Sequence, residues 1–318
     1  MTRPFRFVAT APRLTFDARS WLDDVRRIED LGFDTVAFSD HVTGGWVMES
    51  TVAMTAAAMA TRSLRVLSLV LANDFRHPGL VRKAMATLDV LSGGRVELGL
   101  GTGWLETDYD ALGIPLDSPS VRVDRLTEAV EILRALDDPE PVRFVGTHYR
   151  IEGLVGLPLT IQQPRVPLLI GGGGRRILGL AGRLADIAGI HPRLDGGQLG
   201  PETSAELSAD RFAAKIAVVR AAAIEAGRSA EEPELQASVY LVKITDSRRD
   251  ANVGRSSFTE LLANDPAVAA DSPAVLIGSI EACTEQLIGW RERLGISYWH
   301  LGGDVEAVAP IVARLAGT

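Results

Sequence analysis

A (β/α)8 barrel is the fold class this sequence predicts, and three observations point to it. Apolar runs of strand length alternate with longer stretches of helical period, eight times over, along the 318 residues. That length suits one barrel of about 250 residues plus insertions. Residues able to do chemistry gather directly after the strand-length runs, the end of a barrel where function collects. Periodicity alone leaves a doubly wound open sheet as the alternative. One barrel domain over residues 1–318 is expected, with a hairpin insertion over about 139–165 and a loop or lid over about 192–208.

Phe5–Ala9 opens the series as a strand. Ser20 is the expected cap of the first helix, with Asp23 as its capping-box partner and Leu22, Val25, Ile28 and Leu31 facing the core. Gly32 ends that helix, and Thr35–Ser39 is the second strand. The alanine-rich helix Met48–Ala60 leads to strand Arg65–Leu71, then helix Gly79–Leu91 leads to strand Arg95–Leu100. Helix Val121–Leu136 carries Leu126, Val130 and Leu133 at helical spacing. Val142–Ile151, with Gly146-Thr147 at its turn, breaks the rhythm as a small hairpin. Leu168–Ile170, Ile187–Ile190, Leu235–Leu241 and Ser297–Leu301 complete the eight strands, with helices Ile280–Leu294 and Val305–Leu315 on either side of the last. Pro192–Ser208, rich in Gly, Ser and Pro, is expected to be a long loop or lid.

Composition excludes several classes. No run approaches the ~18 apolar residues of a membrane helix, and the start of the chain turns apolar too briefly for a signal peptide. Cys283 is the single cysteine, so a disulfide framework and a cysteine-based metal site are both ruled out, in keeping with a reducing cytoplasm. The net charge of −8, with no basic stripe, argues against nucleic acid. The five histidines show no ligand spacing, so no metal is expected. No Gly-x-Ser-x-Gly nucleophile motif is present.

The strand ends carry the candidate chemistry. Ser39-Asp40-His41 follows strand two and sets a titrating ring beside a carboxylate, the pair needed to place a proton at a reacting atom. The structural alternative is an Asp capping the next helix over a packed His. Asn73-Asp74-Phe75-Arg76-His77-Pro78 follows strand three, and its last three residues suit a helix start. Gly99-Leu100-Gly101-Thr102-Gly103-Trp104 follows strand four. It lacks the third-glycine spacing and acidic partner of a dinucleotide fingerprint, and leaves room for a flat ring at the mouth. Trp104 either walls that ring or packs under its loop. Gly171-Gly172-Gly173-Gly174-Arg175-Arg176 follows strand five. Glycines allow close approach of a ligand, and two cations at a helix start are at odds with its dipole unless an anion docks there. A cofactor phosphate is the natural candidate. His191 and His300 are read as packing near the mouth, and Glu97 as an inward, cation-paired structural group.

Together these motifs resemble the bacterial luciferase-like superfamily of barrel flavoenzymes. The resemblance runs from Phe5 to Gly317. It rests on Ser39-Asp40-His41, Arg76-His77-Pro78, Leu88-Asp89-Val90-Leu91-Ser92-Gly93-Gly94-Arg95, the strand-four glycines and Pro167 through Gly174. Within the superfamily the chain is most similar to the branch that uses the deazaflavin coenzyme F-420 rather than flavin mononucleotide (FMN). The resemblance implies Asp40 and His41 at the deazaflavin ring, with His41 near the hydride-transferring carbon. It implies Leu69 and Val70 behind the ring, in some relatives through a non-proline cis peptide. Asn73, Gly101, Thr102 and Gly103 would complete the ring's surroundings. Gly171–Gly174 would hold the phosphate, with Arg76 and Arg175 toward the anionic tail. One departure matters: the superfamily's sugar-phosphate dehydrogenases place a glutamate directly after the third strand-four glycine, where this chain has Trp104, with Glu106 two residues on. Their substrate and acid catalyst are therefore not carried over.

The leading expectation is an F-420-dependent oxidoreductase moving hydride to or from a small organic substrate. An FMN-dependent monooxygenase served by a partner reductase is the second reading, and a non-catalytic flavin-binding protein the third. A homodimer is expected, without membrane or nucleic-acid partners. Loops after strands one, six and seven would shape the substrate pocket.

Overall fold

The computed structural model describes residues 2–14, 17–45, 47–193, 201–245 and 266–318. Eight parallel strands close on themselves: β1 (Arg6–Thr10), β2 (Thr35–Phe38), β3 (Arg65–Ser68), β4 (Val96–Gly101), β5 (Leu168–Gly172), β6 (Ile187–Ile190), β7 (Glu234–Val239) and β8 (Tyr298–Leu301). Neighbours pair in chain order, β8 pairs β1, and β3 pairs β4 through Val66↔Val96, so the ring is complete and the open sheet is excluded. One face of each strand packs outward on the helices, burying Phe7, Val36, Val66, Leu98, Ile170 and Trp299. The other face fills the lumen with Val8, Ala37, Leu67, Leu169, Ile187 and Tyr298.

A charged layer floors the barrel. Glu97, 1% exposed, is held by Arg6, by Arg65 Nε at 2.8 Å and by the Tyr298 hydroxyl at 2.7 Å, while Arg6 reaches on to Glu234 at 2.8 Å. Burial raises the Glu97 carboxyl, but the two guanidinium groups outweigh it and leave it below the usual carboxylate range. The inward, structural reading of Glu97 holds.

The helices depart from expectation where their caps do. Helix α1 (Ala18–Asp30) starts one turn before Ser20, because the Asp17 carboxylate caps it by accepting from Arg19 N; the earlier start buries Trp21 with Val25 and Ile28. Helix α2 (Ser50–Ala60) is capped by Glu49, and α3 (Pro78–Ser92) by His77 with Pro78 in its first turn. Helices α4 (Glu106–Leu112) and α5 (Pro119–Ala135) follow β4. The expected hairpin pairs Val142–Val145 with Arg150–Leu154. Helix α6 (Arg175–Leu184) follows β5.

The expected lid over Pro192–Ser208 is corrected in part. Residues 194–200 lie outside the described residues, but Pro201–Glu206 forms helix α7, and Ser208 caps α8 (Ala209–Glu225), for which no helix was expected. The expected strand Leu235–Leu241 also divides. It leaves the barrel at Tyr240, and Leu241–Ile244 pairs in parallel with Val275–Gly278 beside it. Helices α9 (Pro266–Ala270), α10 (Ile280–Leu294) and α11 (Val305–Leu315) complete the chain. No helix among the described residues is long and apolar enough to cross a membrane.

Candidate active site

The C-terminal ends of the strands gather the candidate residues at one mouth, in pairings that differ from those expected. Asp40 does not partner its neighbour His41. It is buried and takes both guanidinium nitrogens of Arg76, at 2.7 and 2.8 Å, together with Ala72 N at 2.9 Å. Arg76 also reaches Glu49 at 2.6 Å, so its charge is shared between two carboxylates. Burial disfavours the Arg76 cation, and those carboxylates more than restore it. Arg76 and Arg175, expected together on an anionic tail, are placed apart: Arg175 opens α6, exposed and with no ion pair among the described residues. Nor does Asp40 cap α2, a task Glu49 performs by accepting from Val52 N at 2.8 Å.

His41 finds its carboxylate on another element. Its Nδ1 lies 2.7 Å from Asp108 Oδ2, in α4. Asp108 Oδ1 accepts from the Thr43 hydroxyl at 2.6 Å, Thr43 N at 2.9 Å and Val42 N at 3.2 Å, which ties the loop after β2 to α4. Burial raises the Asp108 carboxyl, but the Thr43 hydroxyl, the His41 ring and the Thr43 amide outweigh it and hold the group below the usual range. An ionised Asp108 fixes the His41 proton on Nδ1, so Nε2 is the basic nitrogen. Trp104 stands edge-on to this ring, centroids 5.6 Å apart, and is 41% exposed, so it forms a wall of the mouth and is not packed beneath its loop. Glu106 is exposed at the start of α4. Sequence reasoning stopped at Glu106 and missed Asp108, for which a contact across 67 residues leaves no local signal.

The strand-four glycines make room for protein rather than for a ring. The Leu69–Val70 peptide bond is cis, and the strand resumes at Leu71–Ala72. A Cβ on Gly101 would stand 2.7 Å from Val70 Cγ2, and one on Gly99 would stand 2.0 Å from Ser68 O and 3.1 Å from Val70 Cγ1. The glycines therefore seat Val70, and half-buried Val70 and Leu69 are the apolar surface at this side of the mouth. Gly103 has φ +72°, and a side chain there would meet the Tyr109 hydroxyl; Tyr109 in turn donates to Thr102 O at 3.2 Å. Asn73 is spent structurally, donating to the Tyr149 hydroxyl of the hairpin at 3.1 Å.

Packing also explains most of the tetraglycine. A Cβ on Gly171 would press on the His191 ring at 3.2 Å, on Gly172 it would meet Ile177 at 2.4 Å, and on Gly173 the Pro192 and Arg193 backbone at 2.5 Å. Only at Gly174 is the space open, and Gly174 is the N-cap of α6 with no side-chain hydrogen bond to the helix start. That uncapped, ten-residue helix, with Arg175 beside it, fits an anionic group. The half-buried Leu69–Val70 surface fits a flat apolar ring. The residues present thus suit a flavin-type cofactor with a phosphate tail.

Two more histidines line the mouth. His191 Nδ1 lies 3.0 Å from the Tyr240 hydroxyl, and its carbonyl accepts from Lys215 at 2.9 Å. His300 sits between Thr10 and Ser238. Burial, with His300 and Lys215 adding, pushes His191 down to about 4, and burial alone does the same to His300.

Among curated proteins, the chain is 35% identical over 193 residues to an F420-dependent glucose-6-phosphate dehydrogenase of Microbacterium testaceum, covering 58% of this chain and 56% of that one. It is 31% identical over 172 residues to a 5,10-methylenetetrahydromethanopterin reductase of Archaeoglobus fulgidus, covering 53% and 49%. The matches thus span about half the length of those relatives. An F420-dependent secondary alcohol dehydrogenase of solved structure shares the fold at a TM-score of 0.76, with 21% identity and 98% of each chain covered. The family model described as luciferase-like monooxygenase matches residues 4–297. With that match over most of its length and a closed barrel beneath it, the chain belongs to the luciferase-like monooxygenase family.

Proposed function

We infer that the protein is an oxidoreductase that uses deazaflavin coenzyme F-420 to move hydride to or from a small organic substrate. The observation that carries this reading is the His41–Asp108 pair at the mouth, beside the apolar surface of Leu69 and Val70. The relatives of 35% and 31% identity, each named for an F-420 enzyme or a reductase, support both the cofactor and the reaction type.

Gly174 and the α6 N-terminus would hold the cofactor phosphate, with Arg175 adjacent. Leu69 and Val70 would support the ring, with Gly101 seating Val70 from behind. When bound, the cofactor supplies a two-electron hydride donor or acceptor. His41 does the proton work at Nε2, taking the hydroxyl proton as an alcohol is oxidised or returning one to a carbonyl as it is reduced. Asp108 keeps the proton on Nδ1 and offsets the charge that His41 gains. Asp40 and Arg76 hold the β2 and β3 ends in register beneath it. Trp104 excludes water on one side.

Parallel fluorescence titrations with the deazaflavin and with FMN test this reading. Deazaflavin binding is expected, and tight FMN binding without deazaflavin affinity overturns it. The family description favours a second reading, FMN-dependent oxygenation with a partner reductase; oxygen uptake on supply of reduced FMN would establish that one. A cytoplasmic homodimer belongs to the same inference. Val52, Met59, Leu80 and Leu91 form an exposed apolar stripe along α2 and α3 that a second copy would cover. Leu80→Glu should then halve the mass seen in sedimentation.

A further inference from the structure

Tyr109, the residue after Asp108, is left without a role in the reading above. Helix α4 has seven residues, and five of them are exposed; only Asp108 and Tyr109 are buried, at 2% and 1%. A helix this short has little stability of its own, so those two side chains fasten it to the barrel. Consecutive helical residues point about 100° apart, and the two diverge accordingly. Asp108 turns to the loop after β2. The Tyr109 hydroxyl turns to the ends of β3 and β4, where Asp74 Oδ2 stands at 3.1 Å and Thr102 O at 3.2 Å. Its ring packs on Phe75, centroids 5.4 Å apart, and Gly103 lies against the hydroxyl with no room for a Cβ. Behind the phenol stands a rigid base. Helix α5 buries Leu126, Val130 and Leu133 in the core and sends two arginines to the same spot. Arg125 pairs with Asp74 at 2.9 Å and with Asp117, while Arg122 donates to Gly103 O and, through Nε, to Asp117 O at 2.9 Å. Burial and the Asp74 carboxylate push the phenol far above its usual range, so it stays a donor.

We propose that Tyr109 is a positioning residue: its hydroxyl fixes the helix that carries Asp108, and through Asp108 it holds the His41 proton on Nδ1. The Asp108 carboxylate is pinned unequally. Its Oδ1 takes three donors, Val42 N, Thr43 N and the Thr43 hydroxyl, whereas Oδ2 makes the 2.7 Å contact to His41. A turn of α4 about the Oδ1 bonds would give up the His41 contact alone. The His41 end is held in place, because Asp40 beside it is clamped by Arg76 and by Ala72 N. The phenol stops the turn, being hydrogen-bonded to a carboxylate and a carbonyl that Arg125 and Arg122 of α5 also hold. The positioning rests on the proposed function only for the use to which the His41 base is put.

Nitrogen NMR of the imidazole rings in Tyr109→Phe, recorded on the full chain without cofactor, tests the proposal. Phe keeps the ring against Phe75 and removes only the hydroxyl. The parent His41 should show a protonated Nδ1 and a bare Nε2. In the variant the two signals should move toward each other, as the proton divides between the nitrogens. His191, tied to Tyr240, and His300, tied to Thr10 and Ser238, should keep their signals. In an Asp108→Asn chain the same substitution should change His41 no further, since the route runs through Asp108. If Tyr109→Phe does not fold, Asp74→Asn takes its place with the same expected shift. An unmoved His41 in the folded variant, matching shifts in His191 and His300, or a further His41 change on top of Asp108→Asn would each overturn the proposal. With deazaflavin and substrate supplied, Tyr109→Phe should slow single turnover about 2- to 12-fold, the worth of one neutral hydrogen bond, with cofactor Kd within about twofold. A failed deazaflavin titration sinks the cofactor alone and leaves the His41 spectra to decide the positioning.

Discussion

Replacing Asp108 by Asn tests the proton path most directly. The substitution keeps the shape of the side chain, and its Oδ1 still accepts from the Thr43 hydroxyl and amide, which now stand at 2.6 and 2.9 Å. The loop after β2 should therefore stay in place, with a stability loss under about 1 kcal/mol. The 2.7 Å contact to His41 Nδ1 changes in kind. An amide hydrogen now faces that nitrogen, so the imidazole moves its proton to Nε2, where the proposed reaction needs a base. The charge-assisted bond lost is worth about 1.5–3 kcal/mol. At about 1.4 kcal/mol per decade, that is a fall in kcat of roughly 10- to 150-fold. Single-turnover absorbance of the deazaflavin, with cofactor Kd measured separately, is the assay. The fall should sit in kcat, with KM and cofactor Kd within about twofold of the parent, as expected of an interaction made in the transition state. A parental rate in Asp108→Asn would refute the tautomer argument, and so would a loss confined to cofactor binding.

Three further outcomes follow from the same geometry. The unfolded chain protonates His191 and His300 near 6.5 and the folded chain near about 4, so the unfolded state takes up more protons between those values. Their stabilisation is complete above pH 6.5 and drains as pH falls toward 4; with both rings half-buried it should amount to about 1 kcal/mol each between pH 7.5 and 5. Urea midpoints should show a larger acid loss in the parent than in the His191→Phe/His300→Phe variant, and equal losses would refute the assignment. Gly173→Ala drives a Cβ to 2.5 Å from the Pro192 and Arg193 backbone and should cost about 1–3 kcal/mol. Gly174→Ala enters open space and should cost under about 1 kcal/mol as a poorer cap, yet weaken deazaflavin binding; equal Tm losses in the two variants would contradict the contrast. Arg76→Ala strands the buried Asp40 and should cost roughly 3 kcal/mol, part of it restored by adding Asp40→Asn. A double variant no more stable than Arg76→Ala alone would show that the pair is not coupled.

The fold was legible because strand and helix periods alternate with clear punctuation. Ile280–Leu294 and Val305–Leu315 match their expected bounds to the residue, with Ser279 and Asp304 as side-chain caps and Gly295 as a left-handed stop. Where two capping residues compete, as Asp17 and Ser20 do, burial of Trp21 decides, and burial is a tertiary fact. At the site, the sequence announced which strand ends matter but not who bonds to whom. Adjacent Asp40 and His41 diverge, one to Arg76 and the other to Asp108, since neighbouring residues at a strand end point to different sides. The strand-four glycines signalled a close approach correctly, while its object, Val70, follows from the path of the chain after Leu69. Tyr109 carried no signal at all, because a lone tyrosine among exposed helix residues looks the same whether or not its hydroxyl anchors the helix.

The layer of Arg6, Arg65, Glu97 and Glu234 under the lumen sums to zero formal charge, with each sign beside its opposite. A neutral stopper of this kind casts only a short-range field, which fades before the far opening. Under the proposed function, that leaves the charge felt by a bound cofactor to the residues of the rim, and the plug can be ionic without adding a net charge beneath them. It also fills the lower lumen with paired charges, which leaves the opposite end of the cylinder as the place for a ligand.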